Sequence, residues 1–216
     1  MIISFEGGEG SGKSSVIKGA LRLIQTHGME VCVFREPGDT EIGEQIRNIL
    51  HDHKNSNISL RTEALLYQAA RSELVDKKIR PAIERGVTVL LDRFYDSSIV
   101  YQGMARGLGI EEILHLTRFA TGGLDPDLTF YLDVDVQEGL RRIRENKREF
   151  NRMDAQPVEF YEKVREAYLN LCRENLGGRW VYINANQEFP NVMLDVTKEL
   201  NERIFHEGAI TRERGT

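Results

Sequence analysis

The sequence predicts an α/β fold: a five-stranded, mainly parallel sheet with helices on both faces. Three observations predict it. Short apolar runs of strand length alternate with longer segments whose apolar residues recur three and four apart, the pattern of β–α–β units. Glycine-rich or charged turns follow the apolar runs, at the carboxyl ends where open α/β sheets bind ligands. A length of 216 residues, 40% hydrophobic and 29% charged, fits one domain, residues 1–216, able to bury a core.

The first run, Ile2-Ile3-Ser4-Phe5, passes into a glycine-rich turn that ends in Lys13-Ser14-Ser15. Val16, Ile17, Ala20, Leu21 and Ile24 then recur at helical spacing. Gly7, Gly12, Lys13 and Ser14 fill the fixed positions of G-x-x-x-x-G-K-[ST], and a strand before with a helix after is the context that pattern requires. Such a P-loop turns backbone N–H groups inward around an anion. Gly7, Gly8, Glu9, Gly10, Ser11, Gly12, Lys13, Ser14 and Ser15 are therefore assigned to the phosphates of a nucleotide, with Lys13 reaching the terminal phosphates and Ser14 offering a hydroxyl to Mg²⁺. The bland alternative is a flexible glycine loop with a stray lysine.

After Gly28, a helix C-terminal cap, residues 31–34 read as the second strand, ending in Arg35-Glu36-Pro37-Gly38-Asp39-Thr40 on the binding edge. A helix over residues 41–50 makes Arg47 available to that edge. Arg35 is a ligand group or a surface charge at a turn. His51 and His53 fall in a polar loop with nothing nearby to complete a metal-ligand set. A helical pattern over residues 61–80 is interrupted by Pro81 and closes at Gly86. On it Tyr67 and Arg71 share one face, as plain packing or as a grip on a planar base.

The third strand, residues 87–91, ends in Asp92-Arg93: a carboxylate beside a P-loop orders Mg²⁺ or its waters, and the adjacent arginine binds phosphate. Gln102 carries an amide that donates and accepts together, as reading a base edge requires. A helix over residues 111–121 and a strand over 128–132 follow, with Asp133 at the strand end and Asp135 and Glu138 as a capping pair. A helix over residues 157–175, a strand over 180–183 and a helix over 189–205 complete the pattern, and the tail beyond Glu207 reads as fraying. The dense charge between Arg141 and Asp154 is a solvated face or a mobile flap, with a lid segment at about residues 144–156.

A formal net charge of −5 argues against a nucleic-acid polymer as partner, so the cations that hold phosphates must gather locally. Cys32 and Cys172 lie far apart without metal-ligand spacing and read as reduced thiols. With no signal peptide before the first strand and no apolar run of spanning length, a cytoplasmic protein with no membrane partner is expected.

Taken together, these stretches resemble the thymidylate kinase family. The resemblance covers nearly the whole chain: residues 7–14, Arg35-Glu36-Pro37-Gly38, Asp92-Arg93-Phe94 with Ser97-Ser98 and Tyr101-Gln102-Gly103, Pro126-Asp127-Leu128, and Asn151-Arg152-Met153-Asp154. It implies a P-loop kinase fold, transfer of a phosphoryl group from Mg·ATP to dTMP, and a homodimer. It further implies that Tyr67 stacks on thymine while Arg71 and Gln102, with Ser98, read its polar edge. Glu9 would hold the sugar 3′-hydroxyl and Tyr101 would disfavour a ribose. Arg35, Arg47 and Arg93 would hold the 5′-phosphate, with Glu36 and Pro37 in the same site.

The P-loop carries no arginine, and in the bacterial class of the family that duty passes to the flap. Arg148 and Arg152 are the candidates, Arg152 fitting the flap motif better, so the implied catalytic set is Lys13, Arg93, Arg148 and Arg152. Ser14 and Asp92 are the metal candidates. The family usually has a glycine where this chain has Asp39, a residue type that tolerates left-handed backbone. Two alternatives stand: a kinase for another nucleoside monophosphate, or a nucleotide-switch protein. Against the latter, the guanine-reading Asn-Lys-x-Asp tetrapeptide of GTPases is absent.

Overall fold

Five strands, β1 (Ile2–Glu6), β2 (Val31–Arg35), β3 (Thr88–Asp92), β4 (Leu128–Asp133) and β5 (Trp180–Asn184), form one sheet in the order β2-β3-β1-β4-β5. All neighbouring pairs are parallel. The structure is a computed structural model and describes residues 1–145 and 151–205. β1 is central and buried along its whole length, with Ile3 and Phe5 on one face and Ile2, Ser4 and Glu6 on the other. Its Ser4 sits in register between Leu91 and Thr129, which brings the carboxyl ends of β1, β2 and β3 to one rim.

The helices are α1 (Lys13–Thr26), α2 (Glu41–His51), α3 (Leu60–Leu74), α4 (Arg80–Glu84), α5 (Tyr95–Ser98), α6 (Ile110–Thr121), α7 (Val136–Glu145), α8 (Val158–Glu174) and α9 (Phe189–Leu200). The pleat decides which covers which face. Ile3, Phe5, Leu90, Phe130 and Leu132 point to one side and pack against Val16, Ala20 and Ile24 of α1 and Val192, Val196 and Leu200 of α9. Ile2, Val89 and Leu91 point to the other and meet α3, α4 and α6 through Ala64, Leu74, Ala82 and Ile113. On that same side Tyr131 and Trp180 pack with Phe160, Val164 and Tyr168 of α8.

Two local expectations are corrected. Pro81 does not interrupt the long helix. A five-residue π turn (Val75–Ile79), in which the Arg80 N–H donates to the Val75 carbonyl, carries α3 into α4. A proline ring crowds the carbonyl four residues back, here Lys77, and widening the turn at that point removes the conflict. Nor do Asp135 and Glu138 cap α7 with their side chains: Asp135 pairs with Arg165, and Glu138 pairs with Arg141 and Arg142 at 2.8 and 2.7 Å. Asp133 ends β4 as expected, where Arg165 holds its carboxylate below the usual range against the opposing effect of burial. The middle of the predicted lid, including Arg148, lies outside the described residues, as does the predicted fraying tail.

Candidate active site

Three strand ends build the site. Beyond β1 the P-loop turns on Gly7, Gly10 and Gly12, all at positive φ. Gly12 is the N-cap of α1 at φ 84°, which leaves the first N–H groups of that helix at the mouth of the loop. Two close approaches fix the loop's position. A side chain on Gly7 would collide with the Leu132 carbonyl, and Gly10 and Gly139 meet backbone to backbone, locking the loop onto α7. Lys13 Nζ donates to the carbonyls of Gly7 and Gly8 at 3.0 and 3.2 Å and to Ser11 Oγ at 3.3 Å. Burial, reinforced by the Arg93 charge, pushes its pKa down to about 8. Ser14 Oγ donates to Asp92 Oδ2 at 3.3 Å, joining loop and β3 through two oxygen ligands.

At the end of β3, Arg93 is left-handed, at φ 70°. That conformation costs a non-glycine residue about 1–2 kcal/mol. It persists because the guanidinium is held on several sides: by Glu9 at 3.1 and 3.2 Å, Ser97 Oγ at 3.1 Å and Tyr168 OH at 3.3 Å. Tyr101 OH completes the cluster by donating to Glu9 at 2.8 Å, and burial keeps that phenol protonated. Beneath them Glu6 accepts from Phe94 N at 2.7 Å, Ser97 Oγ at 2.6 Å and Tyr168 OH at 2.9 Å. Burial, with the nearby Asp96 charge adding to it, raises the pKa of Glu6.

At the end of β2, Asp39 takes the left-handed turn at φ 59° and earns its place with its side chain, which accepts from Arg35 N at 2.6 Å. Arg35 pairs with Glu44 at 2.6 Å, and Arg47 Nη1 donates to the Pro37 carbonyl at 2.8 Å. Arg71 is 2% exposed and spends much of its fork on Glu36 Oε2, at 2.7–2.8 Å, and Gln68 Oε1, at 2.8 Å. Burial outweighs this partner and pushes Glu36 up to about 7. Glu36 Oε1, Ser98 Oγ and Arg35 Nε are buried with no hydrogen-bond partner among the described residues. Orphaned atoms of this kind suit a ligand that brings the missing partners.

Lys13, Ser14, Ser15, Glu9, Gly10, Gly12, Arg35, Glu36, Pro37, Arg47, Tyr67, Arg71, Asp92, Arg93, Ser98, Tyr101 and Gln102 all line one cavity of about 470 Å³. This volume is ordinary for a small-molecule site. The cations of an acidic chain do gather at the loop, as its charge balance required. Of the predicted site residues that the structure describes, Gly7, Gly8 and Ser11 lie in the loop but off the cavity lining, and Arg152 lies off it altogether. Its Nη2 meets Glu63 Oε2 at 2.7 Å, its Nε donates to the Leu50 carbonyl at 2.7 Å, and it is 5% exposed, so it is turned into the protein and away from the P-loop. The expectation that Arg152 faces the phosphates is corrected: a buried carboxylate on α3 has captured it.

From the same charged run, Arg142 reaches the loop instead, its Nη1 donating to the Gly10 carbonyl at 3.4 Å and the Ala185 carbonyl at 3.0 Å. Sequence reasoning also missed Glu6 and Tyr168, and it placed in a polar loop His51, which ends α2 and lines the cavity. A glutamate closing an apolar strand was a readable signal for Glu6. Tyr168 had none, being 162 residues from Glu6 in the chain.

A P-loop joined at one rim to a second, arginine-lined half-site is the arrangement of a nucleoside monophosphate kinase, a phosphotransferase that must hold two phosphorylated ligands together. Residues 5–196 match the thymidylate kinase family profile. Over 194 residues the chain is 47% identical to the thymidylate kinase of Thermoanaerobacter sp. (strain X514), covering 90% of this chain and 94% of that protein. The crystal structure of thymidylate kinase from Ehrlichia chaffeensis superposes with a TM-score of 0.74 at 32% identity, covering 93% of this chain and 98% of that one. The chain belongs to the thymidylate kinase family.

Proposed function

We propose that this cavity transfers the γ-phosphoryl group of Mg·ATP in line to the 5′-phosphate of dTMP, giving ADP and dTDP. The observation that carries it is the convergence of Lys13, Arg93 and Arg35 on one cavity that Tyr67, Arg71 and Gln102 also line. Phosphoryl transfer needs positioning and charge neutralisation more than a nucleophilic side chain, and the chain's residues divide accordingly. Gly7 to Ser15 cradle the phosphates of ATP, and Lys13 swings from the loop carbonyls to the transferring group. Arg93, with Arg35 and Arg47, holds the acceptor phosphate, while Glu9 takes the sugar hydroxyl beside Tyr101. Tyr67 stacks on the base, and Gln102, Arg71 and Ser98 meet its edge.

Ser14 and Asp92 fit Mg²⁺, which takes one or two protein oxygens and completes its shell with water and phosphates. When bound, the ion neutralises phosphate charge. Among the described residues no larger group of His, Cys, Asp and Glu suited to a metal is present, in keeping with a metal that arrives with its nucleotide. The flap arginine of this reading is Arg148, with Arg152 supporting the flap from its buried pair. Lys13→Ala is expected to weaken ATP binding and to abolish turnover; an active, ATP-binding variant would contradict the loop assignment.

Two further parts of the reading concern setting. Phe119 is 91% exposed on α6, Leu65 54% on α3 and Ile42 51% on α2, three helices that pack on one another in series, and this supports a homodimer through that side of the molecule. Light scattering at twice the 24.7 kDa chain mass is expected, and a monomer would contradict it. Among the described residues no helix is long and apolar enough to cross a membrane, and a kinase that consumes ATP belongs in the cytoplasm.

A further inference from the structure

Glu63 is 1% exposed on α3 and lies behind the cavity wall. It faces donors and cations only: Gln102 Nε2 donates to Oε1 at 3.0 Å, Arg106 Nε donates to the same oxygen at 3.4 Å, and Arg152 Nη2 forms an ion pair with Oε2 at 2.7 Å. Burial alone would raise its pKa, but the hydrogen bonds from Gln102 and Arg152 and the charges of Arg106 and Arg152 win, and the carboxyl sits below its ordinary range. An ionised carboxylate accepts and cannot donate.

A glutamine amide has a donor end and an acceptor end, and which end faces a ligand is set by what faces the other. The amino end of Gln102 is taken by Glu63. Its Oε1 has no hydrogen-bond partner among the described residues, and Gln102 lines the cavity. We infer that Glu63, held in place by Arg106 and Arg152, is a positioning residue that locks Gln102 with its carbonyl toward the substrate, so that the site selects a pyrimidine carrying a hydrogen on N3 and rejects one carrying a lone pair there.

Thymine and uracil donate from N3 and satisfy Gln102 Oε1; cytosine presents a second acceptor and leaves both atoms buried and unpaired. Arg152 thus acts on base choice, through Glu63, from the foot of the lid. This inference rests on the reading above that Gln102 faces the base.

Glu63→Gln provides the test. Arg152, paired at 2.7 Å and buried, outcompetes Arg106 at 3.4 Å and keeps the new amide oxygen on its own side, which turns the amide nitrogen toward Gln102 and reverses it. The ratio of kcat/KM for dTMP over dCMP is expected to fall by about 10–100-fold, with KM for dTMP rising more than kcat falls. Glu63→Asp, still an acceptor only, is expected to keep the ratio while losing rate on both substrates. Damage to the fold alone would lower both substrates in parallel, and an unchanged ratio in Glu63→Gln overturns the inference.

Should Glu63→Gln not fold, the wild-type protein still decides. Coupling across the hydrogen bond from Gln102 Nε2 to the Glu63 carboxylate carbon, measured by NMR with dTMP bound, is expected; its absence overturns the inference. A wild-type enzyme that did not prefer dTMP to dCMP would instead sink the assignment of Gln102 to the base.

Discussion

Arg152→Ala separates the two roles open to that residue. The side chain is buried against a buried carboxylate, with the pair at 2.7 Å and a second charge-assisted bond of 2.7 Å to the Leu50 carbonyl. Removing one member of a buried ion pair costs about 3–5 kcal/mol, chiefly because the other charge is stranded. Glu63 keeps Arg106 at 3.4 Å, which moves the expected loss to the lower end, about 3 kcal/mol. For a chain of this size each kcal/mol shifts Tm by about 2–4 °C, so a fall of roughly 6–12 °C is predicted. Differential scanning calorimetry without ligands measures it. A residue acting only on the transferring phosphoryl group would instead leave Tm alone and lower kcat by about 10³–10⁵. An unshifted Tm with a kcat depressed to that extent would refute the placement of Arg152 in the protein interior.

Other consequences are equally direct. Lys13 titrates near 8 in the folded protein against an ordinary 10.5, so between those values the unfolded chain binds more protons and stability rises with pH. Denaturant titrations across that window should show the rise in the wild type and not in Lys13→Met; parallel curves would contradict it. Gly139→Ala drives a methyl into the Glu9 carbonyl and should cost about 1–3 kcal/mol while raising KM for ATP; unchanged unfolding and kinetics would count against the contact of α7 with the P-loop. Phe119→Arg should yield a monomer by light scattering, and an intact dimer would remove α6 from the interface.

What was legible in the sequence is what is encoded locally. The P-loop is read from glycines whose positive φ is a property of each position, and the five strands from apolar runs that end where the sheet ends. Arg35, Asp92 and Arg93 could be placed because the carboxyl ends of parallel strands share a rim. Direction was not legible. A motif located Arg152, but whether its guanidinium turns to the loop or to Glu63, 89 positions earlier in the chain, depends on packing between α3 and the lid segment. Tyr168 was missed for the same reason: it meets Glu6 through tertiary contact that nothing around Tyr168 in the sequence signals. The π turn before Pro81 shows tertiary burial overriding a propensity, since Val75 and Ile79 are fully buried and hold the helix on course.

The cations and the proposed base-reading groups at one rim are expected to serve phosphoryl transfer to a thymine nucleotide. A coupled ADP-release assay with Mg·ATP across dTMP, dUMP and dGMP tests it most directly. Turnover should be fastest on dTMP, weaker on dUMP by the roughly 1–3 kcal/mol of one methyl group, and about 10⁴-fold lower on dGMP, whose edge leaves the Gln102 and Arg71 groups unpaired. Comparable rates on dGMP, or no ADP released with any of the three, would contradict the account.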